Sequence, residues 1–238
     1  MLNAVGLQNV GVRAFVAEKL PKLGGYRTQI VANVFGHTVQ EYVEVIQVLE
    51  TAEGLAAYEL NISCPNVKRG GAQFGSEAGL AAEVVTAARK AARRPLWVKL
   101  SPNVTDIRAI AQAVESAGAD ALTVANTYAG MSVDARTQKS RLGSLTGGLS
   151  GPAIKPLTLR LVYETCRAVN IPVVGLGGVE TPEDVAEYLV VGAAAVQVGT
   201  ASFVDPKATE RLVEGLEKWC MEEKIFDLKE LRSSLKED

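Results

Sequence analysis

The 238-residue chain suits one large domain or two small ones, and its 47% hydrophobic and 22% charged residues are typical of a globular protein. Its 25 basic and 27 acidic residues give a net charge of −2, which argues against nucleic acid and anionic membranes as partners. No apolar run reaches the roughly 18 residues needed to span a bilayer. The three scattered cysteines fit a reducing cytoplasm, and a single histidine without a Cys-x-x-Cys motif argues against a metal site.

Six short aliphatic or β-branched segments predict strands that are buried on both faces. They span residues 29–34, 57–62, 96–100, 121–125, 172–176 and 194–198. Segments of helical period lie between them, at 39–53, 78–92, 106–117 and 182–191. The residues before these helices, Thr38, Ser76, Thr105 and Thr181, predict N-caps, and glycines 54, 118 and 192 predict helix ends. This alternation predicts an α/β fold with a parallel sheet.

Polar or glycine residues follow every predicted strand. They are Asn33, Asn61 with Cys64, Lys99, Asn126 with Thr127, Gly177 with Gly178, and Gly199 with Thr200. A doubly wound sheet concentrates its ligand residues at one switch point, usually with a Gly-x-Gly-x-x-Gly turn that this sequence lacks. A (β/α)8 TIM barrel gathers all strand ends at one mouth and therefore fits better.

Only six of the eight strands of a barrel can be found in the sequence. The last two have the glycine pattern of the phosphate site after strands seven and eight, and the opening MLNAVGLQN suggests a loop rather than a strand. We therefore expect residues 1–238 to form a single barrel domain that lacks its first two units, incomplete at the N-terminus. The long interval before Gly177 predicts an insertion at 128–150, followed by a helix that begins near Pro152.

The two glycine turns after the last strands predict a phosphate site. Glycines let backbone N–H groups approach an anion, and the helix beginning after Thr181 adds a favourable dipole. The alternative interpretation is that Gly177–Gly178 and Gly199–Thr200 are only tight turns.

Two residue types that are unusual at strand ends predict chemistry. Lys99 lies within an apolar strand, where a buried ammonium is costly unless an anion or a reacting group meets it. The alternative is a lysine that reaches solvent at the barrel rim. Cys64, between Ser63 and Pro65, is a candidate base or nucleophile, whereas Cys166 and Cys220 fit inert packing. His37 fits a loop or cap position.

The motifs NAVGLQN, ANVFGH, ELNISCPNVK, VKLSPNVTDI, TGGLSGPAIKP, GLGG and QVGTA resemble, in order, those of the class 1B dihydroorotate dehydrogenases. The resemblance covers essentially the whole chain. It implies an FMN-containing barrel that oxidises dihydroorotate to orotate in pyrimidine synthesis.

The resemblance also assigns roles to individual residues. Cys64 would be the catalytic base, and Lys99 would lie near flavin N1 and stabilise the reduced ring. The implied substrate contacts are Asn3, Ala4, Val5, Gly6, Leu7, Asn61, Asn66, Asn126 and Thr127. The implied flavin contacts are Asn33, Asn61, Lys99, Ala125, Gly151, Gly177, Gly178, Gly199 and Thr200.

The resemblance implies partners as well. Class 1B enzymes pair with an iron–sulfur subunit that carries FAD and passes electrons to NAD, and homodimerisation is expected. Because family members carry further residues before NAVGL, we expect the chain as given to bind FMN weakly or not at all, although a full-length parent should be active. Two alternatives stay open: a related flavin-dependent dihydropyrimidine dehydrogenase, and a truncated, non-catalytic fragment or paralogue.

Overall fold

The structure is a computed structural model, and it describes residues 1–63 and 74–236. The chain divides into two compact units, here called the N-terminal unit, Val5–Leu122, and the C-terminal unit, Met1–Ala4 with Thr123–Asp238. In the part of the chain that is described, no helix is both long and apolar enough to cross a membrane.

The described strands and helices follow one another in alternation over most of the chain. The strands are β1 Leu2–Asn3, β2 Val31–Val34, β3 Ala57–Asn61, β4 Leu96–Lys99, β5 Ala121–Val124, β6 Tyr128–Gly130, β7 Val133–Asp134, β8 Lys139–Ser140, β9 Gly147–Leu149, β10 Val173–Leu176 and β11 Ala195–Gln197. The α-helices are α1 Val12–Ala14, α2 Leu20–Leu23, α3 Val39–Glu50, α4 Ala78–Ala91, α5 Ile107–Ser116, α6 Lys155–Cys166, α7 Pro182–Val190, α8 Ala201–Val204 and α9 Ala208–Glu222. A π-helical turn, Phe15–Lys19, joins α1 to α2, and 3₁₀ turns lie at Phe74–Ser76, Pro152–Ile154 and Leu228–Glu230.

The N-terminal unit is built on parallel strands in chain order. β3 pairs with β2 on one side and with β4 on the other, both in parallel. Helix α4 packs between α3 and α5 and buries its apolar residues, including Val84 and Val85. All of β3 is buried, because strands in a helix-covered parallel sheet leave neither face in water.

The C-terminal unit combines parallel strands with a small antiparallel sheet. The strand order β5, β10, β11 is covered by helices, with α6 against β10 and α7 against both β11 and α9. Strand β9 lies between β1 and β6 and pairs with both in the antiparallel direction. The predicted insertion at 128–150 therefore folds as strands β6 to β9.

The structure confirms the predicted fold class. All six predicted strands are present, and the strand–helix alternation is that of about six βα units of a TIM barrel, an α/β fold. Thr38 and Thr181 cap α3 and α7 with their side chains, as predicted. Gly118 and Gly192 directly follow the C-caps of α5 and α7 and have positive φ, as predicted for helix ends. Gly54 also has positive φ but lies three residues after the C-cap of α3.

Three local predictions were wrong. The N-caps of α4 and α5 are Glu77 and Asp106 rather than Ser76 and Thr105, because α4 begins at Ala78, directly after Glu77, and α5 begins at Ile107, one residue later than expected. The opening residues do form a strand, β1, whose hydrogen-bonding partners Gly148 and Leu149 lie far along the chain. A two-residue strand has no pattern of its own to reveal it.

Candidate functional site

The candidate site residues of the N-terminal unit share one face of three neighbouring strands. The register places Asn33 of β2 beside Glu59 of β3, and Asn61 of β3 beside Lys99 of β4. Because side chains alternate along a strand, Glu59 and Asn61 point to the same side of the sheet. The predicted flavin contacts Asn33, Asn61 and Lys99 are therefore brought together.

Hydrogen bonds hold both asparagine side chains in place. Asn33 Nδ2 donates to Glu59 Oε1 at 2.6 Å, and Ser63 Oγ donates to Asn61 Oδ1 at 2.7 Å. The Asn61 carbonyl accepts from the buried Tyr42 hydroxyl at 2.8 Å, which ties the end of β3 to helix α3. The end of β3 therefore presents polar groups in fixed orientations, as a binding site for a planar polar ligand requires.

Lys99 is only partly exposed, and its environment acts on its charge in two opposing ways. Burial lowers the pKa of its ammonium below the ordinary lysine value, while the negative charge of Glu59 raises it, and the net direction is downward. A desolvated ammonium interacts strongly with any negative charge that develops beside it. The interpretation of Lys99 as a functional residue is thus physically reasonable in this setting.

Cys64 and Asn66 lie outside the described residues. Two described residues near them in the chain, Ile62 and Gly75, lie in contact, since a Cβ on Gly75 would be only 2.7 Å from the Ile62 carbonyl oxygen. The other two cysteines fit the predicted packing role. Burial raises the pKa of the Cys166 thiol to about 11 and also raises that of Cys220, so both thiols are protonated at neutral pH.

In the C-terminal unit, three loops meet and form what we call the glycine cradle, residues 150–151, 177–178 and 199–200. Thr200 Oγ1 donates to Ser150 Oγ at 2.7 Å. Gly151 lies so close to Gly178 that a Cβ on Gly178 would be 2.8 Å from the Gly151 carbonyl oxygen. The Gly177 carbonyl accepts from the buried Tyr188 hydroxyl at 2.6 Å. The cradle thus brings together five of the predicted flavin contacts.

The start of helix α7 differs from the predicted anion site. The carboxylate of Asp184 accepts from the backbone N–H groups of Glu180 and Thr181, both at 2.8 Å, in a capping box. These N–H groups already donate to a carboxylate of the protein itself. The positive end of the α7 dipole therefore interacts with Asp184 and not, as expected, with a bound phosphate. Any anion in the cradle would be held by the glycine loops themselves.

Asp184 also forms an ion pair with Lys155, whose Nζ lies 2.5 Å from Asp184 Oδ1. Burial opposes ionisation of Asp184, but the hydrogen bonds from Lys155, Glu180 and Thr181 outweigh it and hold the pKa below its ordinary value. The pKa of an aspartate in the unfolded chain is near 3.9, and the pKa of Asp184 in the folded protein is lower, so its ionised carboxylate stabilises the fold above about pH 4. This stabilisation is lost as the pH falls through the pKa of the folded state.

We expect Asp184→Asn to lower the free energy of unfolding by about 1–3 kcal/mol at pH 7. Urea unfolding measures this, and the difference from wild type should shrink below about pH 4. Glu187→Gln is the matched control, because Glu187 also pairs with Lys155 but is half exposed. It should cost less than about 1 kcal/mol. Equal losses in both variants would contradict this role of Asp184.

Two glycines of the cradle should respond differently to a methyl group. Gly178 has φ +68°, and its Cβ would crowd Gly151 and Lys155, so Gly178→Ala should destabilise the protein by about 1–3 kcal/mol. Apart from the two residues next to it in the chain, no described residue has an atom within 4 Å of a Cβ on Gly199, so Gly199→Ala should keep its stability within about 0.5 kcal/mol. If a phosphate occupies that open side, Gly199→Ala should nevertheless weaken FMN binding in a fluorescence titration. Unchanged FMN affinity would place the phosphate elsewhere.

The predicted substrate contacts of the C-terminal unit lie around β9. Asn3 pairs with Gly148, and a Cβ on Gly148 would overlap Thr127 Oγ1, so Asn3 and Thr127 lie close together. Asn126 Oδ1 accepts from the Thr127 backbone N–H at 2.8 Å. Ala4 is exposed in the same unit, and Ala125 is buried directly after β5. In the N-terminal unit, the predicted substrate contacts Val5, Gly6 and Leu7 are exposed.

Glu59 is the residue of this region that sequence reasoning missed. It lies within the motif ELNISCPNVK, but its position inside an apolar run gave no signal beyond the charge itself. Among residues 1–63 and 74–236, no group of three histidine, cysteine or acidic side chains could hold a metal ion. His37 precedes the N-cap of α3, the loop position predicted for it.

Comparison with known proteins gives a consistent result. The sequence model of the dihydroorotate dehydrogenase family matches residues 1–220. A Solibacter usitatus protein provisionally named dihydroorotate dehydrogenase A (fumarate) is 56% identical over 99% of this chain and 78% of its own length. The dihydroorotate dehydrogenase B (NAD(+)) catalytic subunits of Trichlorobacter lovleyi and Solidesulfovibrio magneticus are each 52% identical, over 99% of this chain and 77% and 78% of their own lengths.

Proposed function

The chain belongs to the dihydroorotate dehydrogenase family, and on that premise we propose that it oxidises dihydroorotate to orotate with FMN as its flavin. The observation that supports this most strongly is the family match over residues 1–220, a range that includes all of the N-terminal unit and most of the C-terminal unit. The relatives named above are all dihydroorotate dehydrogenases, and none favours the alternative dihydropyrimidine dehydrogenase.

The residues of the glycine cradle fit a flavin phosphate. Gly199 leaves open space where any other residue would place a Cβ, and Thr200 and Ser150 supply hydroxyl groups. Phosphate oxygens accept hydrogen bonds from such hydroxyls and from backbone N–H groups. We assign Gly151, Gly177, Gly178, Gly199 and Thr200 to the phosphate end of FMN. Ala125 joins them, since its backbone N–H donates to the carbonyl of Leu176, the residue before Gly177, at 3.1 Å.

The polar face of β2 to β4 fits the flavin ring. Asn33 and Asn61 offer carboxamides, and Lys99 offers a partly desolvated ammonium. Bound FMN would accept the hydride that leaves C6 of the substrate. Lys99 would stabilise the negative charge that results, since a positive charge in a desolvated setting acts more strongly than in water.

The proposed base is the thiolate of Cys64. It would take the proton from C5 of dihydroorotate as the hydride leaves C6, and the two electrons of the C5–H bond would form the C5=C6 double bond of orotate. The carboxamides of Asn61, Asn66 and Asn126 and the hydroxyl of Thr127, with residues 3–7, would hold the substrate amide and carboxylate groups. Hydrogen bonds to a buried polar ligand discriminate strongly against analogues that lack its groups.

The electron acceptor and the partner are part of the same proposal. Relatives named as catalytic subunits require a second subunit. We propose an iron–sulfur subunit that carries FAD and passes electrons to NAD, with a homodimer of this chain as the catalytic core in the cytoplasm. The relative named for fumarate offers the alternative acceptor, so fumarate belongs in the assay.

Turnover of two substrates tests the reaction. With FMN in saturating excess and an artificial dye as acceptor, dihydroorotate should give orotate, detected by its ultraviolet absorbance. Dihydrouracil, which lacks the carboxylate, should react far more slowly. Preference for dihydrouracil would instead support the related pyrimidine-catabolic activity.

A further inference from the structure

The polar face of the N-terminal unit contains a buried carboxylate that the proposed reaction does not use. Glu59 lies in the middle of β3 and is only 5% exposed, between Tyr58 and Leu60, which are 0% exposed. An ionised carboxylate in such surroundings is costly unless hydrogen bonds and a counter-charge compensate for it. Its immediate surroundings supply both.

The hydrogen bond to Asn33 determines what that side chain can offer a ligand. An ionised carboxylate can only accept, so the group that meets Glu59 Oε1 at 2.6 Å is the Asn33 amino group. The carbonyl oxygen of Asn33 is then directed away from Glu59. Since Asn33 is exposed, this oxygen is available as an acceptor for an N–H donor of a ligand.

The counter-charge is Lys99, on the next strand. Glu59 and Asn61 share a face of β3, and Lys99 is the register partner of Asn61 on β4. The negative charge of Glu59 opposes the effect of burial on the Lys99 ammonium, and no other charged group of the described residues contributes to that balance. The strength of the positive charge that Lys99 presents therefore depends on Glu59.

We infer that Glu59 is a positioning residue for the flavin ring. It fixes the Asn33 carboxamide with its oxygen outward. It also favours the charged form of the Lys99 ammonium, while its own negative charge partly offsets the positive charge at the ring. The inference rests on the proposed function for the identity of the ligand. The effect of Glu59 on the charge of Lys99 involves only residues of the N-terminal unit and does not depend on the ligand. Glu59 acts through Asn33 and Lys99 and has no contact of its own with substrate in this account.

The first experiment needs no flavin. In protein labelled with ¹³C at lysine Cε, nuclear magnetic resonance gives the pKa of Lys99, with the Lys99→Met variant identifying its signal. Glu59→Gln keeps the shape of the side chain and removes its charge, so the pKa of Lys99 should fall. The matched control is Glu53→Gln, an exposed carboxylate in the same unit, which should leave the Lys99 signal unchanged. An unchanged Lys99 pKa in Glu59→Gln would overturn the charge-balancing role.

The second experiment uses FMN but no dihydroorotate. Glu59→Gln should bind oxidised FMN about tenfold more weakly, because a neutral amide no longer dictates the orientation of Asn33. The ratio of affinities for reduced and oxidised FMN, obtained from the flavin potential, should rise, since a negative charge that opposes flavin reduction is removed. Loss of folding stability with both quantities unchanged would show a purely structural role. Failure of dihydroorotate to react would bear on the proposed function and leave these two measurements valid.

Discussion

Replacement of Cys64 by alanine is expected to slow the reduction of bound flavin by dihydroorotate about 10²–10⁴-fold. Alanine cannot take the C5 proton, so the hydride at C6 would have to leave without concerted removal of that proton. Stopped-flow absorbance at 450 nm, under anaerobic conditions and with FMN in excess, measures the rate directly. Binding of orotate should change little, because the product has no proton at C5 to transfer.

The pH dependence of this step gives a second readout. In the wild type, the rate should rise with pH as the Cys64 thiol is converted to thiolate, and this rise should be absent in Cys64→Ala. Cys220→Ala is the matched control, since burial raises the pKa of the Cys220 thiol and it has no proposed role. A Cys64→Ala variant that reduces flavin at the rate of the control would remove Cys64 from the mechanism.

Replacement of Lys99 by methionine is expected to slow flavin reduction about 10²-fold and to lower the reduction potential of bound FMN. Methionine keeps the length of the side chain but removes the charge that would stabilise the reduced ring. The measurements are the same stopped-flow rate and a potentiometric titration against a reference dye.

The matched control for this substitution is Lys90→Met, on the exposed end of α4 in the same unit. It should change neither the rate nor the potential. Thermal unfolding of both variants separates a loss of charge from a loss of folding. A Lys99→Met protein with the potential of the wild type would show that this ammonium does not act on the flavin.

The strands were predictable because of a local property. A strand of a helix-covered parallel sheet is a mostly apolar run, and residues 57–62 or 96–100 can be recognised without knowledge of their neighbours, despite Glu59, Asn61 and Lys99 within them. The glycine turns after β10 and β11 were recognisable for the same reason. Their mutual contacts, such as the hydrogen bond between Thr200 and Ser150, join distant parts of the chain and leave no local signature.

The wrong predictions concern features that depend on tertiary contacts and not on the local sequence. Thr105 and Asp106 can both cap a helix, and the register of the first turn selects Asp106, whose carboxylate accepts from the Arg108 backbone N–H. β1 exists only because β9 pairs with it. The role of Glu59 depends on the register of β3 against β2, which the sequence does not specify.

The central claim is that this chain transfers two electrons from dihydroorotate to one flavin. Its most direct test is an anaerobic titration of the protein, saturated with FMN, by dihydroorotate. We predict loss of the 450 nm absorbance of bound FMN, with one orotate formed for each flavin reduced. Bound flavin that stays oxidised after an excess of dihydroorotate, yet is bleached by dithionite, would contradict the account.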